Sequence, residues 1–131
     1  MANPANLTVT DLVANAGLAQ PLGDTIDSDG TVPVLAGDLA GATDRLVLHI
    51  TNTDAVNKLN VTVVHGQNPP AVRESLGSLT VQLVASGVAL IGPLESARFL
   101  QADGTLDVAF ATVGGVNAAA TARCYLLPRA A

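Results

Sequence analysis

The chain of 131 residues is poor in the residues from which many kinds of site are built. It contains one cysteine, two phenylalanines, one tyrosine and no tryptophan, and only 13% of its residues are charged. A typical soluble domain has about 25% charged residues. Such a neutral surface protects poorly against association. We therefore expect other subunits to cover much of the surface.

These scarcities exclude several classes of protein. The single Cys124 excludes an internal disulfide and a cysteine metal centre. The shortage of aromatic side chains argues against a sugar-binding face. No apolar run is long enough to cross a bilayer, and residues 1–6 lack the features of a secretory signal. We therefore expect no membrane partner.

The charge balance argues against nucleic acid as a partner. The net charge is −5 at pH 7, with 6 basic and 11 acidic residues. The basic residues are scattered along the chain, whereas binding to phosphates requires clustered lysine and arginine.

Alternation of apolar and polar residues is the main structural signal. It runs through residues 46–51, 59–64, 79–84 and 118–126, and a period of two predicts strands with one buried face. Turn-forming residues recur roughly every ten positions, and no linker or repeat interrupts the pattern. We predict an all-β fold: a single antiparallel β-sandwich or jelly-roll-like domain over residues 1–131.

Two antiparallel connections follow from the turn residues. Residues 52–57 predict a hairpin between the strands on either side. Residues 87–111 predict a meander in which Asp103 and Gly104 form a type I′ turn. In that register Phe99 and Phe110 both face the core.

Helix is expected in at most one short region, residues 68–77, with Asn68 as the N-cap and Gly77 as the stop. The first 40 residues are less regular. Ordered edge strands with long loops would fit this region, and so would an arm that orders only against a neighbour; residues 1–11 are the candidate for such an extended N-terminal arm.

No pattern of catalytic or metal-binding residues emerges. His49 and His65 are the only histidines, and a metal site needs more ligands than these two. The aspartates of residues 24–29 do not match a calcium loop, because placing Gly30 at its sixth position leaves Thr25 and Ala36 at the acidic positions. The Gly-x-Ser-x-Gly motif is missing. We expect a protein that is not an enzyme, with no catalytic, cofactor-binding or metal-binding residues and no small-molecule substrate.

Residues 91–108, with the sequence IGPLESARFLQADGTLDV, follow the NPPAVR of residues 68–73. Together they resemble small β-rich structural proteins of tailed bacteriophages, several of which are head decoration, or cement, proteins. The resemblance extends over roughly residues 45 to 129, and its turn and bend motifs transfer no functional residue. It implies a β-sandwich, commonly a homotrimer, that is made in the host cytoplasm and binds the major capsid protein on the outside of the capsid. It also implies an N-terminal segment that reaches a neighbour.

These expectations lead to one interface hypothesis and two alternatives. The interface would contain Leu7, Val9 and Leu12, because an extended strand with apolar side chains can add to the edge of a neighbour's sheet. Another phage structural role, such as a head-tail connector, tail or fibre protein, would share the low charge and the β content. A small-ligand-binding or cupin-type β-sandwich is the alternative from a different class.

Overall fold

The computed structural model describes residues 3–13, 15–39, 43–66, 77–94, 96–115 and 117–128. It confirms the all-β prediction, since two sheets contain most of the regular structure and each helix in these ranges has only four residues. The elements in chain order are β1 (Val9–Asp11), β2 (Asp24–Ile26), β3 (Gly30–Val34), α1 (Ala36–Leu39), β4 (Leu46–Asn52), β5 (Lys58–Val63), β6 (Leu79–Leu83), β7 (Val88–Ile91), α2 (Ser96–Phe99), β8 (Leu106–Val113) and β9 (Ala120–Leu126).

The strands form two sheets that pack around one core. Sheet A has the order β1-β9-β4-β7, and β2 also pairs with β9. Sheet B has the order β3-β8-β5-β6. Neighbours are antiparallel except for β1, which runs parallel to β9. Because β4 pairs along the whole of one side of β9, both β1 and β2 lie along its other side.

The alternation in the sequence builds the core. Every second residue of β4 and β9 is buried, and the residues between them are only partly buried. The small side chains Ala120, Ala122 and Cys124 face inward on β9. They leave interior volume for larger neighbours at close-packed density. The largest fully buried side chains are Phe110, Leu7, Ile26, Leu39, Leu46, Leu48, Ile50, Leu59 and Leu106.

The hairpin predicted between β4 and β5 is wrong, because these strands lie in different sheets. The connection is instead organised by the buried side chain of Asn52. Its Nδ2 donates to the carbonyls of Asn57 (2.9 Å) and Val84 (3.0 Å), and its Oδ1 accepts from the backbone N–H of Asp54 (3.1 Å). Buried amides need such partners. The side chain therefore holds the crossing loop to the residue that follows β6.

The meander predicted for residues 87–111 is also wrong in its connections. Strand β7 belongs to sheet A and β8 to sheet B, and the residues between them include the short helix α2. Both phenylalanines are nevertheless buried, as expected. Alternation identifies buried positions, but it cannot say which sheet buries them.

The turn before β8 is not type I′. Gly104 N donates to the Gln101 carbonyl (2.9 Å), and Gln101 N donates to the Thr105 carbonyl (2.8 Å). Gly104 has a positive φ of 87°, and Asp103 does not. A type I′ turn needs positive φ at both central residues, whereas a three-residue loop needs it only at the last. The predicted helix over residues 68–77 lies outside the described residues except for Gly77.

The N-terminal segment lies on its own domain. Asn3 Oδ1 accepts from the N–H groups of Asp27 (2.9 Å) and Ser28 (3.1 Å). Leu7 N donates to the Pro33 carbonyl (2.9 Å), and the Leu7 side chain is fully buried in the core. Residues 3–11 are thus bound at several points before and along β1.

This burial predicts that Leu7 contributes to folding. Replacing Leu7 with alanine should lower the free energy of unfolding by about 2–5 kcal/mol, because the substitution removes buried methyl groups and leaves a cavity. Leu22 is 94% exposed, and Leu22→Ala should change stability by less than about 0.5 kcal/mol. Urea denaturation followed by circular dichroism measures both. Equal effects of the two substitutions would show that Leu7 is not a core residue.

Candidate interaction surface

The outer face of sheet A is almost free of charge. Its register places His49 between Arg123 on β9 and Leu90 on β7, and places Val47 opposite Tyr125. Arg123 is the one charged residue among the outward positions of β4, β7 and β9, which are Val47, His49, Thr51, Val88, Leu90, Thr121, Arg123 and Tyr125.

The guanidinium of Arg123 is engaged by the segment that precedes β2. Its Nε donates to the Pro21 carbonyl (2.7 Å), and its Nη2 donates to the Leu22 carbonyl (3.2 Å). Gly23 brings this segment close to β9, since a Cβ there would lie 2.7 Å from Cγ2 of Thr121, and its φ is +84°. Both observations favour glycine at this position. The only charge on the face is therefore used to hold the segment in place.

An apolar groove lies beside this face. We call it the terminal groove; it has a volume of about 520 Å³ and is lined by Leu12, Val13, Ala16, Leu18, Gln20, Tyr125 and Pro128. Val13 is 69% exposed and Leu18 is 52% exposed. Tyr125 adds an aromatic ring with a polar hydroxyl, a combination common in protein interfaces. The groove presents aliphatic and aromatic surface to solvent.

A second apolar region lies at the opposite edge of sheet A. Val84, Val88 and Leu90 are large, exposed hydrophobic residues on and just before β7, and we call them the β7 patch. On sheet B the outward side chains pair with one another: the hydroxyls of Thr62 and Thr80 are 3.1 Å apart, and Gln82 Nε2 donates to Asn60 Oδ1 at 3.1 Å. Exposed apolar patches mark interaction surfaces. The β7 patch is therefore a better candidate for an interface than the paired polar side chains on sheet B.

The three predicted interface residues lie in different environments. Leu7 is a core residue with no exposed surface, and Val9 is half-buried and packs against the core. Leu12 lines the terminal groove, and its N–H donates to the Leu126 carbonyl (2.9 Å). Strand β1 adds to β9 of its own chain. Contact of these residues with a neighbour stays a prediction, with Leu12 the residue that the structure leaves best placed for it.

No sequence pattern indicated that Val13, Leu18 and Tyr125 belong to one surface. Residues 12–22 have no period of two or of 3.6, so no face could be assigned to them. Leu90 and Val88 could have been found, because they alternate with the inward-facing Ala89 and Ile91.

The acidic residues near the N-terminal half bind backbone groups. Asp24 accepts from the N–H of Thr8 (2.7 Å) and from its hydroxyl (3.0 Å). Asp29 Oδ1 accepts from the N–H groups of Thr112 (3.0 Å) and Ala118 (2.9 Å). Within the described ranges, no group of three or more histidine, cysteine, aspartate or glutamate residues is placed to hold a metal ion.

His49 lies on β4 of sheet A, whereas His65 follows β5 of sheet B. His65 Nδ1 donates to the Gly66 carbonyl (2.9 Å) at the end of β5. His49 lies on the outer face of sheet A, where its Nδ1 is buried without a hydrogen-bond partner.

Two aspartates with lowered pKa values stabilise turns. Asp54 Oδ1 accepts from the N–H groups of Asn57 (3.0 Å) and Val56 (2.8 Å), and these bonds lower its pKa. Asp103 accepts from the hydroxyl (2.7 Å) and the N–H (3.1 Å) of Thr105, which lowers its pKa in the same way. Hydrogen bonds to the ionised form stabilise it. Both carboxylates therefore fix loops.

No protein-family model, curated protein or solved structure matches this chain. Among the described residues, no helix has the length and apolar character needed to cross a membrane.

Cys124 is the buried thiol at the centre of β9. Burial raises its pKa to about 12, and the negative charge of Asp24 acts in the same direction. The reactive species of a cysteine is the thiolate. Cys124 should therefore resist alkylation by iodoacetamide at pH 8 in the folded protein and react after denaturation. Rapid modification under native conditions would contradict its placement.

The same shift predicts a loss of stability in alkali. The unfolded thiol ionises near pH 9, its ordinary value, while the folded thiol remains protonated until about pH 12. Its contribution to stability is therefore complete below pH 9 and is lost as the pH rises from 9 towards 12. The difference in unfolding free energy between the wild type and Cys124→Ala should shrink over that interval. A difference that stays constant would contradict the shift.

Proposed function

We propose that the protein is a non-enzymatic structural protein of a virus particle, a decoration protein that binds the outer surface of the capsid and stabilises it. The observation that carries this proposal is the nearly uncharged outer face of sheet A, with the terminal groove beside it. The sequence resemblance to phage decoration proteins gives that surface a partner, the major capsid protein.

The energetics of the surface agree with this role. Burial of apolar surface contributes about 25 cal/mol per Å². The neutral face loses little by desolvation, because hydrogen bonds to Pro21 and Leu22 already engage its one guanidinium. A protein that occurs in many copies on a lattice also gains from repeated contacts. Modest contacts at each site can therefore stabilise a whole shell.

The terminal groove is the part of the surface best shaped to receive a partner. Its aliphatic walls suit an apolar side chain or a short extended segment of the capsid protein. The Tyr125 ring lies between the groove and the neutral face. Interfaces often centre on an aromatic residue surrounded by aliphatic contacts. We therefore place the centre of the contact at Val13, Leu18 and Tyr125.

Charged substitutions in the groove test the proposal. Val13→Asp and Leu18→Asp should each weaken binding to purified capsids by about tenfold or more, because a carboxylate would be buried without a partner. Val113→Asp is the matched control, since Val113 is an exposed valine at the end of β8 in sheet B. Co-sedimentation of the protein with undecorated capsids measures binding. The heat resistance of the particles measures stabilisation.

Three results would count against capsid decoration. If the wild type bound no capsid assembled from the proteins encoded beside it, the proposal would fail. Binding only to isolated tails or to the portal would indicate the alternative phage structural roles. A gene that lies outside any virion locus would remove the basis for both.

A second function is favoured by the size of the groove. Sites for small molecules commonly have volumes of about 300–1,000 Å³ with mainly apolar walls, and the terminal groove falls in that range. A small apolar ligand bound there should raise the melting temperature of the wild type but not that of Val13→Asp. A screen of fatty acids and aromatic acids by thermal shift would detect it.

A further inference from the structure

We propose that β7 pairs with β7 of a second copy of this chain, in an antiparallel contact with twofold symmetry that continues sheet A from one protomer into the other. Among the described residues, β7 is the last strand of sheet A and pairs only with β4. This contact involves no capsid. The dimer can therefore be tested independently of the proposed function.

The hydrogen-bonding groups of β7 are arranged for such a contact. Asn52 N donates to the Gly87 carbonyl (2.8 Å), so Asn52 and Gly87 are a hydrogen-bonded pair of the β4–β7 ladder. Such pairs alternate along an antiparallel ladder. Ala89 and Ile91 therefore turn their backbone groups towards β4, whereas Val88 and Leu90 turn theirs towards the open edge.

This geometry selects one register for the pairing. Val88 would exchange both hydrogen bonds with the partner's Leu90, and Leu90 would do the same with the partner's Val88. The twofold axis would then pass between the two copies of Ala89, at a position where the strands approach most closely. A small side chain suits that position. On the outer face, the valine and leucine side chains of the two protomers would lie against each other.

The distribution of charge also favours this edge for contact between identical molecules. Every side chain meets its own copy or a near neighbour in a twofold contact, so an acidic edge would repel itself in a chain of net charge −5. Asp11 and Asp24 lie on β1 and β2 at the opposite edge of sheet A. Strand β7 has the sequence VALI and contains no charge.

The opposite side of the sandwich shows the usual protection of edge strands. There β1 and β2 have three residues each, and β3 contains Pro33. Short strands, proline and charge are the common means by which proteins prevent edge pairing. Strand β7 contains neither proline nor a charged residue. Its Val88 is 58% exposed and its Leu90 is 69% exposed. Among the described residues, β7 therefore lacks two of the means that protect β1, β2 and β3.

A cysteine scan tests the register. In Ala89→Cys the two engineered thiols would face each other across the axis, and mild oxidation should give a disulfide-linked dimer. In Val88→Cys, the matched control, each thiol would lie opposite the partner's Leu90, and the two thiols would be about 7–8 Å or more apart. The first variant should therefore cross-link at least about tenfold faster. The wild type, with only the buried Cys124, should give no covalent dimer.

A charge substitution provides an independent test. Leu90→Lys places a cation in each half of the contact and should raise the dissociation constant of the dimer by about tenfold or more. Leu22→Lys makes the same change of residue type at a fully exposed position near the other edge and should leave the constant unchanged. Analytical ultracentrifugation over a concentration series measures the constant, and circular dichroism confirms that each variant folds.

A dimer that weakens in Leu90→Lys but not in Leu22→Lys, with preferential cross-linking of Ala89→Cys, would support the proposal. A wild type that remains monomeric at all concentrations would overturn it. So would a trimer, the state implied by the sequence resemblance, if neither Leu90→Lys nor Ala89→Cys affected its assembly. Cross-linking of Val88→Cys at least as fast as Ala89→Cys would show that the register is wrong.

Discussion

The inward burial of alternate side chains along β4 and β9 is the constraint on which the rest of the structure depends. Because a strand has a period of two, placing Leu48, Ile50 and Ala122 in the core fixes which residues face outward. The neutral outer face of sheet A follows directly from this choice. A slip of one residue would bury Arg123 and expose the leucines.

Several of the charged side chains hold loops in place by hydrogen bonds to backbone groups. Asp24, Asp29 and Asp54 accept hydrogen bonds from backbone groups of neighbouring loops. Arg123 holds the segment before β2. Of these charged residues, only Arg123 lies on the outer face of sheet A. The outer face of sheet A and its β7 edge therefore carry little charge that would oppose contact with other proteins.

The sequence alone could predict the class of fold and most of the buried positions, because strict alternation in β4, β5 and β9 reports directly on burial. It could not predict that β4 and β5 lie in different sheets, since that depends on long-range packing around Asn52. The terminal groove could not be predicted, because its irregular lining residues Leu12, Val13, Ala16 and Leu18 lie beside Tyr125 only in the folded chain. Nor did a local pattern reveal that residues 3–11 would bind their own domain, an arrangement that depends on Asn3 and Leu7.

The proposed contact between the sheet A side and a capsid is tested most directly by comparing hydrogen exchange in the free protein with exchange in the protein on decorated particles. Amides that become buried at a contact exchange more slowly. We expect slower exchange in the groove-lining residues Leu12, Val13, Ala16, Leu18 and Gln20, with β5 and β8 of sheet B unchanged. Slower exchange confined to sheet B, with the groove-lining residues unaffected, would contradict the proposed contact.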